Sequence, residues 1–185
     1  MLLNQVEMLI LDEFRKGRDT RIYGSEISKR YGLNQKTVSN TFNRLEKEGI
    51  LKFKREGNNK YYFLNKLEGS IKEVIEIVEI KKKIEFKKNN PWLNGLISEL
   101  EKRAKGVLGV FGSYAKGTNR DKSDLDVFVI GKMGDIKGLG DAYNIEINVV
   151  EVSKVKFNRS HPFVRDIIEY HIILNGVEDF VRLVW

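Results

Sequence analysis

The sequence predicts an α+β protein: helices and a hairpin in the first third, a long linking helix, and after Pro91 a mixed β-sheet with flanking helices. Three observations carry this reading. Up to Leu64, apolar residues recur at helical spacing and then give way to two strand-like runs around Gly57-Asn58-Asn59. From Lys66 to about Lys88, Ile and Val recur every three or four residues among alternating acids and bases. From Val107 to Ile130, two apolar runs bracket a Gly-Ser turn, a basic loop and two aspartates one residue apart. The segments divide the chain as 1–65, 66–90 and 91–185, and 185 residues leave room for one large or two small cores.

Asn4 to about Lys16 reads as a helix, with Val6, Leu9, Ile10 and Phe14 along one side. After Thr20 to Tyr23, Ser25 is expected to cap a helix ending at Tyr31, and Gly32 turns the chain. Asn34 is expected to cap a second helix ending at Gly49, with Val38, Phe42 and Leu45 facing inward. Its outer side is then Gln35, Lys36, Ser39, Asn40 and Asn43, a surface suited to base edges and phosphates. Ile50 to Lys54 and Lys60 to Leu64 read as a hairpin made basic by Lys52, Lys54, Arg55 and Lys60.

Charge is concentrated in the same region. Residues 1–66 hold 14 Lys and Arg against 8 Asp and Glu, whereas residues 91–185 hold 13 of each. A polyanionic partner is therefore expected for the first segment. Helix, turn, helix and basic hairpin together resemble the winged-helix DNA-binding domains of prokaryotic transcription regulators, over about Met1 to Leu64. The resemblance implies double-stranded DNA as partner, with Lys36, Ser39, Asn40 and Asn43 in the major groove and Arg55 and Lys60 on backbone or minor groove. Winged helices also serve as protein-docking modules. Arg44 and Lys47 fit salt bridges with Glu46 or Glu48 equally well.

The linking helix carries Ile71, Val74, Ile75, Val78 and Ile84 on its apolar stripe. That stripe packs either on its own chain or on a second copy, and two-fold operators favour a homodimer. Pro91 ends the segment and opens a helix from Trp92 to Lys105, with Leu93, Leu96, Ile97 and Leu100 inward and Trp92 given a packing role.

Side chains alternate along a strand, so in the second apolar run Asp124 and Asp126 share one face at roughly 7 Å while Leu125, Val127 and Val129 share the other. Gly112 and Ser113 fall where a helix begins after a strand, a place that suits phosphate. A phosphate-binding turn facing paired carboxylates describes a site for a metal-bound nucleoside triphosphate, because Mg²⁺ bridges carboxylates to phosphate oxygens. Gly112-Ser113, then Asp124-x-Asp126, with Gly117 and Ser123 between, resembles the signature of the DNA polymerase β-like nucleotidyltransferases, in particular the minimal ones.

The resemblance implies that Gly112 and Ser113 hold the triphosphate and that Asp124 and Asp126 hold Mg²⁺, two ions in the family, with a third acid on a later strand. Lys116, Arg120 and Lys122 are candidates for neutralising triphosphate charge, or are solvated. In the third strand, Ile145 to Val152, Glu146, Asn148 and Val150 share a face; Asn148 stands where Asp is common, and Glu146 is the candidate third catalytic acid. The tail predicts a helix from Pro162 to about His171 and a strand pair around Asn175-Gly176, with His161 and His171 structural.

Composition adds exclusions. There is no cysteine, hence no disulfide framework and no thiolate metal site. No run approaches a membrane span, and Met1-Leu2-Leu3 is followed at once by polar residues, so no signal peptide and a cytoplasmic location are expected. Two functions fit these features: transfer of a nucleoside monophosphate from Mg·NTP to an acceptor hydroxyl, or a non-catalytic, nucleotide-sensing transcription regulator. The family also suggests a separate helical partner protein.

Overall fold

The computed structural model describes residues 3–185; the part of the sequence reading that rests on Met1 and Leu2 lies outside them. The chain forms two compact units, one of the described residues up to Val78 together with Trp185, the other Glu79–Val184.

In the first unit, α1 (Gln5–Asp12) starts at Asn4, whose side chain accepts from the Glu7 N–H while Glu7 reaches back to the Asn4 N–H. This reciprocal cap satisfies two otherwise open donors. A 3₁₀ turn, Glu13–Lys16, completes the first helical segment. Strand β1 (Ile22–Tyr23) leads into α2 (Gly24–Tyr31), whose N-cap is Tyr23, with no side-chain hydrogen bond. The expected Ser25 cap is therefore corrected: Ser25 lies inside the first turn. Helix α3 (Gln35–Lys47) is capped by Asn34 as expected, through the Lys36 N–H at 2.8 Å. Val38, Phe42 and Leu45 are buried, and the Phe42 ring stacks on Tyr62 at 4.1 Å. Strands β2 (Leu51–Glu56) and β3 (Asn59–Leu64) pair around Gly57-Asn58, and the antiparallel sheet has the order β1-β3-β2.

Helix α4 (Ile71–Asn89) runs through the boundary between the units. Ile71, Val74, Ile75 and Val78 are buried as expected, but Ile84 is 48% exposed, beside the half-exposed Ile80. Near the end of the helix, Phe86 supplies the buried apolar contact that Ile84 was expected to make.

The second unit is built on a mixed sheet of order β6-β5-β4-β7. A 3₁₀ turn, Pro91–Leu93, and α5 (Asn94–Arg103) lead into β4 (Ala104–Val110), so the strand takes Ala104 and Lys105 from the expected helix. After the short α6 (Gly112–Lys116), β5 (Leu125–Met133) pairs antiparallel with β4 and parallel with β6 (Ile147–Val152). Strand β5 is buried on both faces. Leu125, Val127 and Val129 join Leu93, Leu96, Ile97 and Leu100 in one apolar cluster, while Phe128 on the opposite face meets Phe180 at 6.2 Å.

Two elements differ from the sequence reading. The expected loop Gly131 to Gly140 is strand at its start, and helix α7 (Leu139–Tyr143) begins before it ends. After α8 (Pro162–Glu169) and β7 (Ile172–Asn175), the chain forms helix α9 (Val177–Val184), not the second strand of a pair. Val177, Phe180, Val181 and Val184 fall at i, i+3, i+4 and i+7, a helical stripe, and the last three are buried.

Candidate active site

The phosphate-turn candidate and the aspartates meet at the end of the sheet. Phe111, leaving β4, donates its N–H to the Asp126 carbonyl at 3.0 Å, which holds the turn beside β5. Gly112 then adopts φ +67°, and a Cβ at that position would lie 2.2 Å from Asp126 Oδ2. The backbone thus approaches the carboxylate at a distance only glycine permits. Ser113 follows in the first turn of α6, which Gly117 ends at φ +68°.

Parallel register fixes which residues face the aspartates. Asp126 is the partner of Asn148, and the Asn148 side chain donates Nδ2–H to Asp126 Oδ1 at 3.1 Å. Leu125 donates its N–H to the Glu146 carbonyl at 2.8 Å and pairs with Ile147, so Glu146 lies one residue before the ladder begins, at the end where Asp124 precedes β5. Asp124 is exposed and Asp126 half-buried. Among the described residues, no group of three or more His, Asp or Glu side chains is gathered as a metal cage. Two carboxylates open to an incoming phosphate nonetheless suit Mg²⁺, which dehydrates reluctantly and is commonly held by one or two carboxylates plus substrate oxygens.

Beside Asp124 opens a cleft of about 1040 Å³ whose walls include Asp124, Glu146, Arg120, Lys122, Trp92 and Tyr114. The loop before Asp124 is fixed by Ser123, whose hydroxyl accepts from the Arg120 N–H at 2.8 Å and whose N–H donates to the Arg120 carbonyl at 3.0 Å. Lys122 sits at φ +70°, a conformation uncommon outside glycine. Burial, then the nearby charge of Asp121, raises the Tyr114 phenol above its ordinary value. Lys116 points elsewhere, pairing with Asp166 at 3.0 Å and lying over the Tyr170 ring.

In the first unit, Lys36, Ser39, Asn40 and Asn43 are all exposed on the side of α3 away from Val38 and Phe42, and Arg55 is exposed near the hairpin tip. Lys60 is drawn back over the Phe53 ring, 3.6 Å from its centroid, and lies 3.8 Å from Glu46. Arg44 pairs with the buried Glu7, a partner 37 positions away that local spacing did not suggest. His161 caps α8, its Nδ1 accepting from the Phe163 N–H, and His171 is buried against Glu79 at 3.0 Å.

Trp92 is the residue the sequence reading undervalued: its side chain stands 52% exposed on the cleft wall, not packed away.

Residues 91–175 match the family model of the nucleotidyltransferase domain. The mixed sheet with flanking helices fits that fold. A solved structure titled "Crystal structure of the toxin-antitoxin with AMP-PNP" is similar at 20% identity over 56% of this chain and 78% of its own, with a TM-score of 0.33, too low to speak to this chain's function. No curated protein matches the sequence. No helix among the described residues is long and apolar enough to cross a membrane.

Proposed function

We propose that the second unit binds Mg·NTP and transfers the nucleoside monophosphate to an acceptor hydroxyl, and that the first unit is a winged-helix DNA-binding domain that places or regulates it. The observation that carries the nucleotide reading is the bare Cα of Gly112 set against the Asp126 carboxylate, with Asp124, just before β5, opening into the cleft. Bound Mg²⁺ neutralises phosphate charge and polarises the α-phosphate. Asp124 and Asp126 are the residues that would hold it. The N–H groups of the Gly112-Ser113 turn and the Ser113 hydroxyl take the β and γ phosphates, and Arg120 lies on the cleft wall to meet further negative charge. Glu146, which precedes β6 as Asp124 precedes β5 and shares the cleft wall with it, would receive the acceptor's proton.

A second reading, a nucleotide-sensing regulator without turnover, is favoured by one contact. The amide of Asn148 occupies the register position facing Asp126 and donates to it, so it fixes that carboxylate but accepts no proton and adds no charge to the metal. Both readings require Mg·NTP binding. Ligand bound only by the folded state raises stability by RT ln(1 + [L]/Kd), about 2.7 kcal/mol at a hundredfold excess over Kd. The unfolding midpoint of the full chain is expected to rise with Mg·ATP and to stay put with ATP in EDTA. An equal rise under both conditions contradicts a metal-bridged site. Incorporation of label from α-labelled NTP, lost in Glu146→Gln, then separates transfer from sensing.

A further inference from the structure

We infer that the cleft beside Asp124 receives the nucleoside of the triphosphate, with a purine base stacked on Trp92. This rests on the Mg·NTP reading and gives it direction. Gly112 touches Asp126, and Asp126 is not part of the cleft wall, whereas Asp124, two residues away on the approach to β5, is. A triphosphate whose terminal phosphates lie on the Gly112-Ser113 turn therefore passes Asp126 first and Asp124 second. Asp124 leads into β5 and lines the cleft while Asp126 does not, so the sugar and base beyond the α-phosphate enter the cleft.

The cleft is furnished for a nucleoside and poorly for a polyanion. Its walls carry Arg120 and Lys122 interspersed with Asp121, Asp124, Asp141 and Glu146, not the run of cations that follows a nucleic-acid backbone. Trp92 is held on a rigid turn between Pro91 and the fully buried Leu93, and its ring leans on Tyr114 at 6.4 Å and 58°. A large aromatic fixed in place yet half exposed on a polar wall offers a stacking face whose ordering cost is already met by the fold. Elsewhere on the same walls, Asn119 and Asn144 bring amide groups that both donate and accept, as the hydrogen-bonding edge of a purine requires. The larger purine ring covers more of the indole than a pyrimidine does, so ATP or GTP is expected to bind more tightly than CTP or UTP.

The test uses Trp185→Phe, in which Trp92 is the remaining tryptophan, and three probes: Mg·ATP, Mg·CTP and Mg·tripolyphosphate. Mg·ATP is expected to quench the emission strongly and Mg·CTP less, while tripolyphosphate binds by calorimetry without quenching. In the otherwise wild-type chain, Trp92→Ala should weaken Mg·ATP about tenfold, within the range for loss of one base–aromatic stack, and leave tripolyphosphate affinity unchanged. Trp92→Phe should restore most of the ATP affinity. Bound ATP with unchanged emission and equal affinity in Trp92→Ala overturns the inference and leaves the cleft to the acceptor. If neither ATP nor tripolyphosphate binds, the Mg·NTP reading fails and this inference with it.

Discussion

Gly112 and Gly117 bracket α6 at nearly the same backbone angle, φ +67° and +68°, but only one of them touches the site. Alanine at either position incurs the left-handed penalty, about 1 kcal/mol. At Gly117 a Cβ meets nothing within 4 Å, so the effect should end there. At Gly112 the Cβ falls 2.2 Å from Asp126 Oδ2, and an ordinary contact begins at 3.4 Å, so the carboxylate must retreat by about 1.2 Å or the turn must move. Either motion strains the 3.1 Å hydrogen bond from Asn148, worth about 1 kcal/mol. Gly112→Ala is therefore expected to cost about 2 kcal/mol and Gly117→Ala about 1 kcal/mol, read from urea unfolding of the second unit.

The larger contrast is in ligand binding. Mg²⁺ demands near-ideal octahedral geometry with oxygen at about 2.0–2.1 Å, so a ligand displaced by about 1 Å no longer serves it. Mg·NTP affinity should fall at least about tenfold in Gly112→Ala and stay within about twofold of wild type in Gly117→Ala, by calorimetric titration of both variants. Equal losses in the two would show that backbone strain, not the displaced carboxylate, is responsible. No loss in either would refute the placement of the metal at Asp126.

Asn148→Asp puts a third carboxylate in register with Asp126; the variant should be less stable without metal, from like-charge repulsion, and should bind Mg²⁺ more tightly than wild type in a metal titration. His171→Ala removes the imidazole from the fully buried Glu79 and the ring packed 4.7 Å from Phe180, and should cost about 3 kcal/mol in urea unfolding, with Glu79→Gln milder because an amide still hydrogen-bonds. Arg44→Ala should lower the stability of the first unit by about 2 kcal/mol through Glu7, leaving the salt dependence of DNA binding unchanged. Arg55→Ala should do the reverse, with stability intact and the slope of log affinity against log salt reduced by about 1.

The close approach at Gly112 was legible because its determinants are local. A glycine between a strand and a basic loop marks a close approach before anything is known of what it approaches, whereas the strand expected to carry both aspartates starts only at Leu125, after Asp124. Helix α3 was equally readable, since Asn34 caps it and Val38, Phe42 and Leu45 declare its inner side. The Arg44–Glu7 pair was not, because its partners are brought together by packing of α1 on α3. Nor was the Asn148–Asp126 contact: an antiparallel or shifted β6 would have put another residue there.

Other departures have local reasons. Helix α7 covers only Leu139–Tyr143, too few residues to show a period, and starts from Gly138 in a left-handed conformation that reads equally well as a loop. Helix α9 did show its period, but Asn175-Gly176 is also a hairpin signal, and that turn chemistry outweighed the apolar spacing. The exposure of Trp92 depends on how Pro91–Leu93 sits against Tyr114, which no window of sequence contains.

The most direct measurement is calorimetric titration of Mg·ATP, and then of the other three nucleoside triphosphates, into the wild-type chain and into Asp126→Ala. The expected result is saturable, Mg²⁺-dependent binding to wild type and its loss in the variant, with the fold intact by circular dichroism. Binding of equal strength to both proteins, or to neither, would contradict a nucleotide site built on Gly112, Ser113, Asp124 and Asp126.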